Sequence, residues 1–66
     1  HHYFEVRSDK AISEVAVIDF SGRQLMAVDG GGAKHVTVSV SHLTAGVYMV
    51  AVKGNDFYWL RKLIIY

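Results

Sequence analysis

The sequence contains no cysteine. That excludes a disulfide-stapled scaffold and a zinc ribbon, and it is compatible with either side of a membrane. Charge of one sign is also missing: seven Lys and Arg stand against six Asp and Glu, for a net charge of +1. The charges are interspersed, so no field here would steer a polyanion strongly, and no nucleic-acid partner is expected. Long apolar runs are lacking as well. The longest is Val47 to Val52, far short of the ~20 residues a membrane-spanning helix needs. No charged segment followed by an apolar stretch marks a secretory signal. His1 and His2 are read as the remnant of an affinity tag and left out of the fold argument, so the single domain is taken as residues 3–66.

What is present points to strands. Ten Val, four Ile, two Thr and eight aromatics make up 24 of 66 residues, all types that favour a pleated, half-buried surface. No segment repeats apolar residues with the 3.6 period of a helix. A hydrophobic content of 52% excludes a disordered tail. A chain this short buries only about 60% of its unfolded surface, so its core must be small and well packed or must borrow surface from a neighbour.

Apolar runs alternate with turn signals along the chain. They span 3–7, 13–20, 23–28, 34–40, 47–53 and 57–66. Ser8-Asp9-Lys10, Ser21-Gly22, Asp29-Gly30-Gly31-Gly32, 41–46 and Gly54-Asn55-Asp56 separate them. In the fourth run Val36, Val38 and Val40 alternate with Thr37 and Ser39, which predicts one buried and one wet face. The fifth run is apolar on both faces, with Tyr48, Val50 and Val52 on one side. No crossover-length helix lies between runs. The prediction is therefore an all-β, mainly antiparallel sandwich or small barrel of about six strands.

Each candidate site has a bland alternative that explains it better. Ser39, Ser41 and His42 are close in sequence, but strand neighbours face opposite ways and no G-x-S-x-G elbow exists, so no catalytic residue is expected. His35 and His42, without cysteine, fall short of the four ligands of a structural zinc site, and no metal or cofactor is expected. The triple glycine leads straight into a strand rather than a helix N-terminus, which favours a hairpin turn over a phosphate loop. Asp19 is expected at a strand end, accepting backbone hydrogen bonds from the Ser21-Gly22-Arg23 turn and pairing with Arg23. Phe57, Tyr58, Trp59, Arg61 and Lys62 mix aromatics with positive charge. Alternation splits them between two faces, so core and rim of a terminal strand is preferred to a stacking platform for single strands.

Three segments together resemble a known family. Val17-Ile18-Asp19-Phe20-Ser21-Gly22-Arg23 is similar to the V-Y-D-L-x-G-R strand and turn of type IX secretion system C-terminal sorting domains. Val40-Ser41-His42-Leu43-Thr44-Ala45-Gly46-Val47-Tyr48-Met49-Val50 is similar to that family's L-x-x-G-x-Y-x-V segment. Arg61-Lys62-Leu63-Ile64-Ile65 resembles its basic-then-apolar closing strand. Order and spacing agree, and the match covers about residues 12–65. Gly22 and Gly46 would serve turn geometry, and Leu43 and Tyr48 would plug the core.

The resemblance implies a seven-stranded immunoglobulin-like sandwich at the C-terminus of a larger exported cargo protein. An outer-membrane translocon of Bacteroidetes-type bacteria would read it, and in most members a sortase-like surface peptidase then cuts upstream. It further implies that Gly46 and Tyr48 hold the fold while Arg61, Lys62, Leu63, Ile64 and Ile65 face the translocon. The chain departs from the family at its start. The usual Pro-Asn-Pro strand is absent, since there is no proline at all, so the first strand is missing or lies outside this sequence. A sandwich short of one strand leaves backbone groups unpaired, and the expectation is that this edge pairs with another copy. The rival reading, an immunoglobulin-like adhesion or binding module for a carbohydrate or protein, expects an exposed aromatic patch of Trp59 with Phe57 or Tyr58.

Overall fold

In a computed structural model, described over residues 3–66, the chain forms six strands and no helix. They are β1 (Tyr3–Arg7), β2 (Glu14–Ile18), β3 (Gln24–Asp29), β4 (His35–Ser39), β5 (Gly46–Lys53) and β6 (Tyr58–Ile65). Each sits within one of the apolar runs or reaches one residue past it. The two leading histidines lie outside the described residues.

Two antiparallel sheets result. One holds four strands in the order β3-β2-β5-β6, and the other holds only β1 and β4. Two short turns make hairpins: Ser21-Gly22 joins β2 to β3, and Gly54-Asn55-Asp56 joins β5 to β6, closed by a Gly54 N–H to Phe57 carbonyl bond of 2.9 Å. Between Val17 and Ile18 the register against β3 shifts by one residue. Leu25 is the extra residue of that bulge, and both Leu25 and Met26 pack at the rim of the core.

The core lies between the sheets. Val6, Ile12, Val15, Val17, Val36, Val38, Val40, Tyr48, Val50 and Val52 are buried together. The alternation in β4 is as predicted: Val36 and Val38 point in, while His35, Thr37 and Ser39 are exposed. β-branched valines fill this layer because their stiff side chains fit the pleated surface without loss of rotamer freedom.

One expectation fails. Asp29-Gly30-Gly31-Gly32 is not a hairpin turn, because β3 and β4 belong to different sheets. β4 needs β1 as its partner, so the glycines carry the chain across the sandwich. Gly31 and Gly32 take positive φ angles of 62° and 80°. The crossing is laced to the segment before β2: Gly30 N–H donates to the Ser13 carbonyl at 2.9 Å, and Gly32 N–H to the Ile12 carbonyl at 3.0 Å. Asp29 Oδ1 accepts from Gly31 N–H at 2.8 Å.

Candidate functional site

The turn after β2 is built around one carboxylate. Asp19 Oδ1 accepts from Ser21 N–H at 3.0 Å, the Ser21 hydroxyl at 2.7 Å and Arg23 N–H at 2.9 Å. Its other oxygen lies 3.3 Å from Arg23 Nε. Gly22 follows with φ at 94°, a left-handed geometry that glycine adopts without steric cost. The Ser21 hydroxyl first, then the Arg23 backbone N–H, hold the Asp19 carboxyl below its ordinary value of 3.8. A carboxylate with a lowered folded value contributes stability that is full above its unfolded value and is lost as pH falls through the lowered one. Asp19→Ala should therefore melt at a lower temperature than the parent at pH 6, and the gap should shrink toward pH 2–3. Thermal unfolding of both chains across that range is the check. A gap independent of pH would deny the carboxylate its role.

The loop before β5 uses a tyrosine instead. Tyr48 is buried, and its hydroxyl donates to the Thr44 carbonyl at 2.6 Å, with Thr44 Oγ1 at 3.3 Å. This is the tyrosine-corner device of sandwich folds, a ring in the core whose hydroxyl ties down the backbone a few residues upstream. Leu43 packs against the core from the same loop. Gly46 does not turn the chain as expected. It opens β5 opposite Ile65, and its φ of 159° is close to fully extended. Its hydrogen faces the Tyr48 ring, where a Cβ would sit 3.7 Å away in ordinary contact.

The last strand is an edge. β6 pairs with β5 from Tyr58 to Ile65 and, among the described residues, has no strand on its other side. Alternation divides its side chains. Trp59, Leu63 and Ile65 pack against the core, whereas Tyr58, Leu60, Lys62 and Ile64 lie on the outer face. Arg61 and Lys62 therefore point to opposite faces and do not form one cationic patch. The Arg61 guanidinium lies 5.3 Å from the centre of the Trp59 ring, a cation–π contact worth about 0.5–1 kcal/mol at an exposed site. Beside it, between β1 and β6, run two shallow depressions of about 320 and 240 Å³ that share Phe4 and Leu63. They mark where the two-stranded sheet leaves the wider one incompletely covered.

The exposed aromatic patch of the binding-module reading does not form. Phe57 and Trp59 are half-buried against the core, and Tyr58 is on the other face. Of the serines and histidine near 40, Ser39 Oγ lies 3.4 Å from Ser41 Oγ, and His42 is exposed.

One feature escaped the sequence reading. The outer face of the four-stranded sheet carries a groove of about 670 Å³ whose walls include Ile18, Phe20, Val47, Met49, Tyr58 and Leu60. The signal was the double-sided apolar pattern of the fifth run, which marks strands covered on both faces.

Comparison with known proteins agrees with the motifs. The family model described as secretion system C-terminal sorting domain matches residues 1–66, the whole chain. No curated protein and no solved structure gives a significant match.

Proposed function

The chain belongs to the secretion system C-terminal sorting domain family, and from that membership we propose that it is the folded address by which the outer-membrane type IX translocon recognises a larger cargo protein. The family match along the full 66 residues carries this reading. Domains of this family are not known as enzymes, and membership implies export as part of a larger protein.

In this reading the cargo lies on the N-terminal side and the translocon reads the sandwich in the periplasm. Where members of the family are processed, a sortase-like surface peptidase cuts upstream of the domain at the cell surface, and some members stay uncleaved. The contact surface is the open side of β6, where Arg61, Lys62 and Ile64 are exposed. Leu63 and Ile65 hold that strand on the core. Gly22, Leu43, Gly46, Tyr48 and the Asp19–Arg23 pair maintain the fold that presents it. The edge supports recognition because its unpaired backbone groups accept an added strand, and the central Arg61 and Lys62 discourage indiscriminate pairing.

A reporter fused to this domain should reach the cell surface, and removal of residues 62–66 should leave it in the periplasm. Trimming also takes Leu63 and Ile65 from the core, so a second variant is needed. Arg61→Glu with Lys62→Glu alters only exposed side chains. It should keep the thermal stability of the parent within a few degrees and still reduce surface display. Surface display at the parent level in both variants would overturn the reading.

A further inference from the structure

We propose that the outer face of the four-stranded sheet docks a second copy of this chain, face to face, about a two-fold axis that runs along the strands between β2 and β5. An antiparallel sheet with one wet face alternates apolar and polar residues. β2 and β5 do not: Ala16 and Ile18 in β2, and Val47, Met49 and Ala51 in β5, all belong to the outer face. Ala16 and Ala51 are each only 1% exposed, sheltered by their larger neighbours. Val47, Tyr58, Leu60 and Ile64 stand proud at 44–57% exposure, and Phe20 at the end of the β2 column reaches 91%.

The register supplies the fit. The sheet order β3-β2-β5-β6 has its centre between β2 and β5, so rotation about that line lays β2 on β5 of the second copy and preserves each cross-strand row. One row contains Ala27, Ala16, Ala51 and Leu60. Ala16 then lies over Ala51 of the second copy; both are already sheltered, so the contact between the copies is made by the larger side chains around them. The next row, through Ile18, Met49 and Lys62, sets Ile18 on Met49 of the second copy. On the far side, Glu14, Asp29, Lys53 and Tyr58 share a row. Glu14 and Lys53 are 3.7 Å apart within one copy. The rotation places each on its opposite in the other copy and makes an alternating ring of four charges. Phe20 comes over Val47 of the second copy.

The area suffices for association. The five exposed side chains offer on the order of 500 Å² per copy, within the range of functional patches. Two such faces bury about 1,000 Å², the lower bound for a specific interface, so the dimer is expected to be weak. Pairing through the free edge of β1 has less to offer. That strand is only five residues long, with Glu5 and Arg7 among its exposed side chains.

Sedimentation of the 66-residue chain from about 10 μM to 1 mM tests the proposal. A monomer–dimer equilibrium is expected within that range. Leu60 lies outside the core, so Leu60→Asp should stay folded by circular dichroism and raise the dissociation constant at least tenfold. Lys53→Glu should also weaken the dimer, and Glu14→Lys in the same chain should restore it. A monomer at every concentration, or a dimer indifferent to Leu60→Asp and Lys53→Glu, as an edge-to-edge dimer through β1 would be, overturns it.

Discussion

Gly30→Ala should lower the melting temperature by about 10–20 °C, the shift that roughly 3 kcal/mol produces in a domain of this size. The reason is a collision with backbone. A Cβ at residue 30 would overlap the Ile12 carbonyl oxygen and lie 2.8 Å from both the Ile12 carbonyl carbon and its Cγ2. Neither partner can yield easily. Ile12 is fully buried, and its carbonyl accepts the Gly32 N–H. Gly30 itself donates to Ser13, which fixes the approach from the other side. Gly31 is the contrast within the same loop. Its surroundings are open, so Gly31→Ala suffers only from the left-handed φ of 62°, about 1–2 kcal/mol, and Gly31→Asn less. Thermal or urea unfolding of the three variants gives the order. Equal, small losses at residues 30 and 31 would mean that the crossing loop is free to move away from Ile12.

Tyr48→Ala should leave little folded protein at 37 °C. Truncating a buried aromatic costs about 3–5 kcal/mol. A domain of this length holds only about 3–10 kcal/mol in total. Two losses combine: the ring leaves a cavity in the core next to its cross-strand partner Leu63, and the Thr44 carbonyl loses the hydroxyl that ties it at 2.6 Å. Tyr48→Phe separates them, since it keeps the ring and removes only the hydrogen bond, at a cost of about 1 kcal/mol. Urea midpoints of the two variants measure each part. If Tyr48→Phe were as damaging as Tyr48→Ala, the hydroxyl rather than the packing would be the main anchor of the 41–45 loop.

The strands were legible in the sequence because every local signal agreed. β-branched residues, period-2 alternation in β4 and polar turns all pointed the same way, and six predicted runs became six strands. The Asp19 turn was legible for the same reason, since its bonds reach only four residues along the chain. What was not legible depends on where strands go. The three glycines after Asp29 look alike whether the chain doubles back on β3 or crosses to the other sheet, and only the pairing of β4 with β1 decides. Arg61 and Lys62 are an exception: they are adjacent, and their division between the two faces follows from strand alternation and was legible in advance. Gly46 carries the family motif, and the structure sets it at the start of β5, against the Tyr48 ring. The outer apolar face was half-visible in the fifth run and became a surface only when the register aligned Ala16 with Ala51.

The pairing of β1 with β4 also sets a clock. Tyr3 lies opposite Ser39, and β2 must wait for β5, some thirty residues later, before its central ladder exists. Only the β2–β3 and β5–β6 hairpins close locally. Non-local strand pairing must meet its loop-closure entropy before it gains contacts, and such topologies mature over milliseconds to seconds rather than microseconds. Until β4 is in place, β1 has nothing to hold it, so a newly delivered chain spends that interval with its first strand loose.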